Sequence, residues 1–285
     1  MNGSRNQTTI GIFRWAVILC FAFTAGAWPL AADSPSYLGF DANEYPGDAA
    51  LAGLKRAFSF AGYWLNVPPG GRSNDWKGKR EVILENGFGF LVLFNGRTAS
   101  QLKSAAAAAE LGKADGNSAA AGAREEGFHA GAVVFLDQEE GGRMSEAQNA
   151  YIFAWVDAVI ARGFRAGIYC SGIPAKEKRG QTIVTANDIR AHAGARQIEY
   201  FVYNDACPPS PGCVYAVHPP APSGSGVAFA AVWQFAQSPR RREYTKRCAA
   251  TYNSDGNCYA PGSFAGSAIL DLDSARSSDP SNGRL

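Results

Sequence analysis

Residues Ala132 to Met144, AVVFLDQEEGGRM, constrain the fold more than any other stretch. Four apolar residues, Val133 to Leu136, run directly into Asp137, Gln138, Glu139 and Glu140. A short continuous apolar run bounded by glycine reads as a buried strand of a parallel sheet. Side-chain alternation then puts Asp137 and Glu139 on one face, roughly 6.5 to 7 Å apart along the strand, and turns Gln138 and Glu140 away. Two carboxylates closing an apolar strand are costly unless they are paired or used. Gly141 and Gly142 follow, and Ser145 to Gln148 has the S-x-x-Q form of a capping box. From Ala147 to Gly163 the positions Tyr151, Ala154, Ala158 and Ile152, Trp155, Val159 recur at helical spacing. The unit is strand, acidic tip, loop, helix, and in a β/α barrel functional residues sit at that end of the strand. Alone, a D-x-E pair is more often a loop-side salt bridge or a neighbour of a helix cap, so the remaining strands must supply the weight.

They repeat the pattern. Tyr37 to Asn43 forms a first strand ending near Asp41, with Gly39 on the same face, and Asp48 is expected to cap a helix with the stripe Leu51, Leu54, Phe58. Phe60 to Val67 is a second strand, leading to a helix over 75–86 stopped by Gly87. Phe88 to Asn95 is a third. The Ala-rich stretch 100–127, interrupted by Gly and Asn, reads as a broken helical hairpin. Phe164 to Ser171 is a fifth strand, followed by a short helix capped at Thr185. Ile198 to Asn204 is a sixth, but residues 205–226 then carry six prolines and can hold no ordinary crossover helix. Val227 to Phe235 and Ser267 to Leu272 complete eight strands, the last with Asp271 and Asp273 at its end. Strands alternating with helices argue for a parallel α/β architecture. The expected fold is an irregular TIM-type β/α barrel, eight strands with helices mainly after the first five.

Met1 to about Ala32 reads as a secretory signal peptide. Arg5 and Arg14 precede the apolar run Trp15 to Leu30, and the small residues Ala25-Gly26-Ala27 and Leu30-Ala31-Ala32 suit cleavage. Residues 33–285 then form a single domain. Cleavage removes two of the 27 basic residues and none of the 25 acidic ones, leaving 25 against 25. A neutral chain gives no electrostatic basis for capturing nucleic acid or an anionic membrane. A secreted monomer without cofactor is expected. His129, His192 and His218 are scattered, and no Cys/His spacing of the zinc type occurs. Cys207 and Cys213 bracket PPSPG, and Cys248 and Cys258 bracket a polar loop. In a secreted chain these read as two loop disulfides, with Cys170 left as a buried thiol.

If the barrel closes, Asp41, Asp137, Glu139, Asn204 and Asp271 converge on one rim, accompanied by Trp64, Tyr169, Tyr203 and Trp233. An acidic cleft with aromatic walls suits sugar rings, whose C–H faces stack on aromatics while carboxylates and amides bind hydroxyls. Glycoside hydrolysis needs one protonated carboxyl and a second group that stabilises an oxocarbenium-like state, and close acids push their pKa values apart.

The chain resembles the family-25 glycoside hydrolases, secreted lysozymes that cleave peptidoglycan, and more nearly the related glycoside-hydrolase-like barrel domains once classed as domains of unknown function. Gly39-Phe40-Asp41, Asp137-Gln138-Glu139, Gly167-Ile168-Tyr169, Trp233-Gln234-Phe235 and Asp271-Leu272-Asp273 carry the resemblance. It implies a barrel with five helices followed by three strands lacking them. It also implies that Glu139 is the general acid, that Asp137 supports a substrate-assisted intermediate formed by the sugar's acetamido group, that Asp41 and Asp271 position substrate or tune the pair, and that Tyr169 flanks the bound ring. The D-x-x-D-x-D-x-E run of family-18 chitinases is a weaker match, because Ala132 and Phe135 stand at its first two acidic positions. The expected partner is a cell-wall polysaccharide. The alternative is a barrel that binds glycan at the cell envelope without cutting it.

Overall fold

The computed structural model describes residues 36–204, 219–236 and 270–285, together with Met1 and Gly3. The expected signal segment (apart from Met1 and Gly3), His218 and the bracketing cysteines Cys207, Cys213, Cys248 and Cys258 lie outside the described residues. Among those described, the chain runs β1 (Tyr37–Asp41), α1 (Asp48–Leu54), β2 (Phe60–Trp64), α2 (Arg80–Glu85), β3 (Gly89–Asn95), α3 (Ala105–Glu125), β4 (Val133–Asp137), α4 (Glu146–Ala161) and β5 (Arg165–Ser171). A small hairpin, β6 (Ala175–Lys176) and β7 (Thr182–Ile183), precedes α5 (Thr185–His192), β8 (Ile198–Tyr203), β9 (Val232–Ala236) and β10 (Asp271–Ala275). Eight strands close into a barrel in the order β1, β10, β9, β8, β5, β4, β3, β2, and the β6–β7 hairpin stands apart. A helix follows each of the first five barrel strands, so the irregular β/α barrel read from the sequence is the observed fold.

The strand direction departs from that reading at one place. Seven barrel strands are parallel, but β10 is antiparallel to both β9 and β1. Asp271 therefore starts its strand rather than ending it. Because β9 reaches the rim at Ala236 and β10 leaves the rim at Asp271, an antiparallel return needs no crossover to the far end. The reversal keeps Asp271 on the rim, paired across the ladder with Asp41.

Apolar alternation fills two layers. Phe40, Phe58 and Phe88 meet edge-to-face between strands and helices, while Phe135, Phe201 and Tyr169 stack inside the barrel. Gly167 leaves the space the Phe135 ring needs, since a Cβ there would lie 2.3 Å from it. The capping box of α4 forms as expected: Ser145 Oγ accepts from Gln148 N, and Gln148 Oε1 accepts from Ser145 N.

Other local expectations are corrected by tertiary contacts. Residues 100–127 do not form a hairpin but one 21-residue helix, α3, capped by Ser104 after a short 3-10 turn. The glycines that suggested a break are where α3 meets the α4 backbone: a Cβ on Gly112 would lie 2.2 Å from Tyr151 O, and one on Gly116 2.6 Å from Trp155 O. Each glycine costs ~1 kcal/mol of helix propensity, offset here by the close helix packing it permits. Gly47, not Asp48, stands at the cap of α1, and the Asp48 carboxylate accepts from Tyr45 OH and Lys79 Nζ instead. The second helix starts only at Arg80, because the Asn74 side chain accepts from Trp76 N and holds that segment in a turn. Thr185 does not cap α5; its buried hydroxyl donates to Gly142 O and accepts from Gly142 N. β9 starts at Val232 because Ala230 N closes a turn on Val227 O.

Candidate active site

Alternation along each strand decides which side chains look into the barrel mouth. Asp41 from β1, Trp64 from β2, Asp137 and Glu139 at the end of β4, Tyr169 from β5, Gln234 from β9 and Asp271 from β10 line one cavity of about 90 Å³. Asn43, Pro69, Leu93 and Phe201 complete its wall. Gly62 on β2 makes room for Asp41, since a Cβ there would lie 2.6 Å from the aspartate Cβ. Six of the nine site residues expected from the sequence thus share one cavity.

The other three lie beside it. Trp233 is one residue out of phase with Gln234, so it faces away from the barrel axis, against Gly224 and Phe235, with Nε1 donating to Asn204 O. Asn204 donates from its side chain to Ser225 O and serves the turn before β9. Tyr203 stacks its ring 5.4 Å from that of Tyr169 and donates its hydroxyl to Glu139 O, so it holds the loop that carries the acid.

Donors are few among these acids. Tyr169 OH donates to Gln234 Oε1 at 2.7 Å, and Gln234 Nε2 donates to Asp41 Oδ2 at 2.8 Å and to Asp271 Oδ2 at 3.4 Å. Among the described residues, no basic side chain lines the cavity. Burial, opposed by the bonds from Gln234 and Asp273 and reinforced by Glu139, pushes Asp41 from an ordinary 3.8 up to about 6. Burial drives Asp137 well above its usual range, with Glu139 and Asp41 adding repulsion, and its Oδ1 is buried without a hydrogen-bond partner. Glu139 is exposed at the mouth, and its pKa is raised by desolvation and then by neighbouring Glu140. Glu140 itself is engaged elsewhere: it accepts from Ala99 N with both oxygens and from Gln148 Nε2. Sequence alternation had separated Glu140 from the pair, and these bonds give it a structural task. Among the described residues, no group of three or more His, Cys, Asp or Glu is arranged to hold a metal ion. The arrangement can donate protons and can hold negative charge against a developing cation.

Residues 73–200 match the model of the Rv2525c-like, glycoside hydrolase-like domain. The matched stretch is similar to that domain over somewhat less than half of the chain. It holds β3, β4 and β5 with Asp137, Glu139 and Tyr169, while Asp41, Gln234 and Asp271 come from strands outside the matched residues. A B. stearothermophilus protein of solved structure shares the fold, at 17% identity and a TM-score of 0.50 over 83% of this chain and 94% of that one. The Tat-secreted protein Rv2525c of Mycobacterium tuberculosis is similar at 12% identity and a TM-score of 0.48, over 84% of this chain and 94% of that one. The modular autolysin LytC of Streptococcus pneumoniae is similar at 10% identity and 0.47, over 84% of this chain and 46% of that one. No curated protein matches the chain.

Two residues at this rim carried no role in the sequence reading, although both lie in stretches that carried the resemblance. Gln234 is the amide that ties Tyr169 to Asp41, and period-2 alternation beside the more conspicuous Trp233 was its signal. Asp273, entirely buried beneath Asp41, was legible only as part of D-x-D.

Proposed function

We propose that the chain is a secreted, monomeric glycoside hydrolase acting on N-acetylated glycans such as peptidoglycan, with residues 1–32 removed and two loop disulfides, Cys207–Cys213 and Cys248–Cys258. The observation that carries the reading is the convergence of Asp41, Asp137, Glu139 and Asp271, from three parts of the chain, on one cavity. Glu139 stands at the mouth with its pKa raised, so it retains a proton further up the pH scale and can give it to the leaving sugar oxygen. Asp137 lies deeper and orients the acetamido group for attack on the anomeric carbon. Asp41, at about 6, is mostly ionised at pH 7 and supplies standing negative charge opposite the oxocarbenium-like state. Tyr169 and Trp64 provide the aromatic wall, and Asp271 binds hydroxyls.

A second reading, glycan binding without turnover, is favoured by one observation. The cavity, about 90 Å³, is well below the ~300–1,000 Å³ of common ligand pockets and accepts only part of a ring. Incubation of the mature protein with purified peptidoglycan and with chitin oligomers, reading new reducing ends by mass, separates the two. New ends support hydrolysis. Retention of glycan without new ends supports the binding reading, and a chain that neither cleaves nor retains glycan would overturn both.

A further inference from the structure

Asp273 is fully buried, and among the described residues no donor bonds either of its carboxyl oxygens. It stands opposite Gly39 on β1 and Gln234 on β9, at a point where the β9–β10 register shifts. Among the described residues, the groups that face it are acidic or neutral: Asp41 from β1, Asp271 from its own strand and the Gln234 amide from β9, which is already bonded to Asp41. Asp137, Glu139 and Tyr169 lie beyond Asp41 across the cavity. Asp41 stands two residues beyond Gly39 on the same face of β1, and two carboxyl groups brought together there can bond only if one of them holds a proton. Asp41 has a second donor in Gln234, whereas Asp273 has none, so the negative charge is better placed on Asp41.

We propose that Asp273 is a positioning residue that stays protonated at neutral pH and donates to Asp41, so that the two acids act as one unit with a single negative charge. The unit fixes the Asp41 carboxylate from below while Gln234 holds it from the side. No proton leaves the pair in this role. The donated bond also lowers the pH at which Asp41 becomes charged, because it favours the ionised partner. Burial is the main reason the Asp273 carboxyl keeps its proton.

The consequence for activity rests on the hydrolase reading; the consequence for protonation does not. The test is a carbon NMR titration of the full mature chain labelled at the aspartate carboxyls, with Asp273 and Asp41 assigned from Asp273→Asn and Asp41→Asn. The Asp273 signal should stay in the protonated position through pH 7, and the Asp41 midpoint should lie near pH 6. In Asp273→Leu the Asp41 midpoint should rise by about one pH unit, whereas Asp273→Asn, whose amide can still donate, should leave it near the wild-type value. Melting curves of both variants confirm that folded protein is titrated; if Asp273→Leu does not fold, the wild-type and Asp273→Asn titrations decide. An Asp273 signal that titrates near pH 4, or an Asp41 midpoint unmoved in folded Asp273→Leu, overturns the proposal. If wild type cleaves glycan, the acid limb of its pH–rate profile should move with the Asp41 midpoint in Asp273→Leu and return in Asp273→Asn. A chain that cleaves nothing but shows the expected titrations would refute the hydrolase reading and leave the paired acids standing.

Discussion

At the base of the barrel the C-terminal segment supplies donors and acceptors to the strand ends it meets, whereas at the rim four carboxyls converge on one cavity. Ser281 is fully buried between β3 and β4: its N–H donates to Phe90 O, its carbonyl accepts from Val133 N and its Oγ accepts from Val92 N. Asp279 accepts from Phe90 N, Gly283 N and Arg284 N. Arg80 stacks over Phe128 and donates to Gly283 O at 2.9 Å. Apart from Arg80 Nε, these groups of the base are buried with their partners, which is the inexpensive way. At the rim, among the described residues, Asp137 and Asp273 are buried with oxygens that accept no hydrogen bond, and their pKa values rise accordingly. Strain of this kind is characteristic of sites kept for chemistry rather than for stability.

Substitutions at the two ends should therefore fail in opposite ways. The largest effect is expected at the mouth. Glu139→Gln keeps shape and removes the proton, so turnover on peptidoglycan should fall by ~10²–10⁴ with the melting temperature nearly unchanged. A variant that cleaves as fast as wild type would show that Glu139 is not the acid. At the base, Gly89→Ala should cost ~1–3 kcal/mol in a denaturant titration without altering the chemistry of folded protein. The added Cβ would lie 2.1 Å from Ser278 O and 2.7 Å from Asp279 Cα. Wild-type stability would mean that the C-terminal segment does not seat against β3.

Asp137→Asn should give the reverse pairing, lower turnover with higher stability. A carboxyl raised in the folded state holds a proton that the unfolded chain has released, so its contribution is full below the ordinary 3.8 and is lost as pH rises. The stabilisation by Asp137→Asn should be absent below about pH 4 and grow toward neutrality, reaching at least the ~2–4 °C that 1 kcal/mol brings in a domain of this size. Equal melting curves at pH 7 would show that Asp137 is not destabilised by its surroundings. The same sign holds for Asp41, whose shift from 3.8 to about 6 amounts to on the order of 3 kcal/mol lost between those pH values. The turnover defect of Asp137→Asn should depend on the substrate's N-acetyl group, which comparison of acetylated and de-acetylated glycan reads directly. The smallest effect belongs to Glu140. Its repulsion helps to raise Glu139, so Glu140→Gln should shift the alkaline limb of the pH–rate profile to lower pH by a fraction of a unit. An upward shift would contradict the electrostatic coupling.

The sequence by itself determined whatever depends on neighbours along the chain. An apolar run bounded by glycine specified β4, the S-x-x-Q signature specified the start of α4, and i, i+2 alternation grouped Asp137 with Glu139 apart from Glu140. The count of barrel strands and the helices after the first five followed from the same local rules. Tertiary structure decided what depends on register and direction. Period-2 alternation says that Trp233 and Gln234 face opposite ways, but only the pairing of β9 with β8 and β10 puts the amide inside and the indole outside. Helix propensity reads Gly112 and Gly116 as breaks, and only the α4 backbone at Tyr151 and Trp155 turns them into contacts. The direction of β10 is a long-range property too. Reversing it brings Asp271 to the rim and sets Asp273 beneath Asp41, because an antiparallel strand carries its first residues, not its last, to the end where the other seven strands finish.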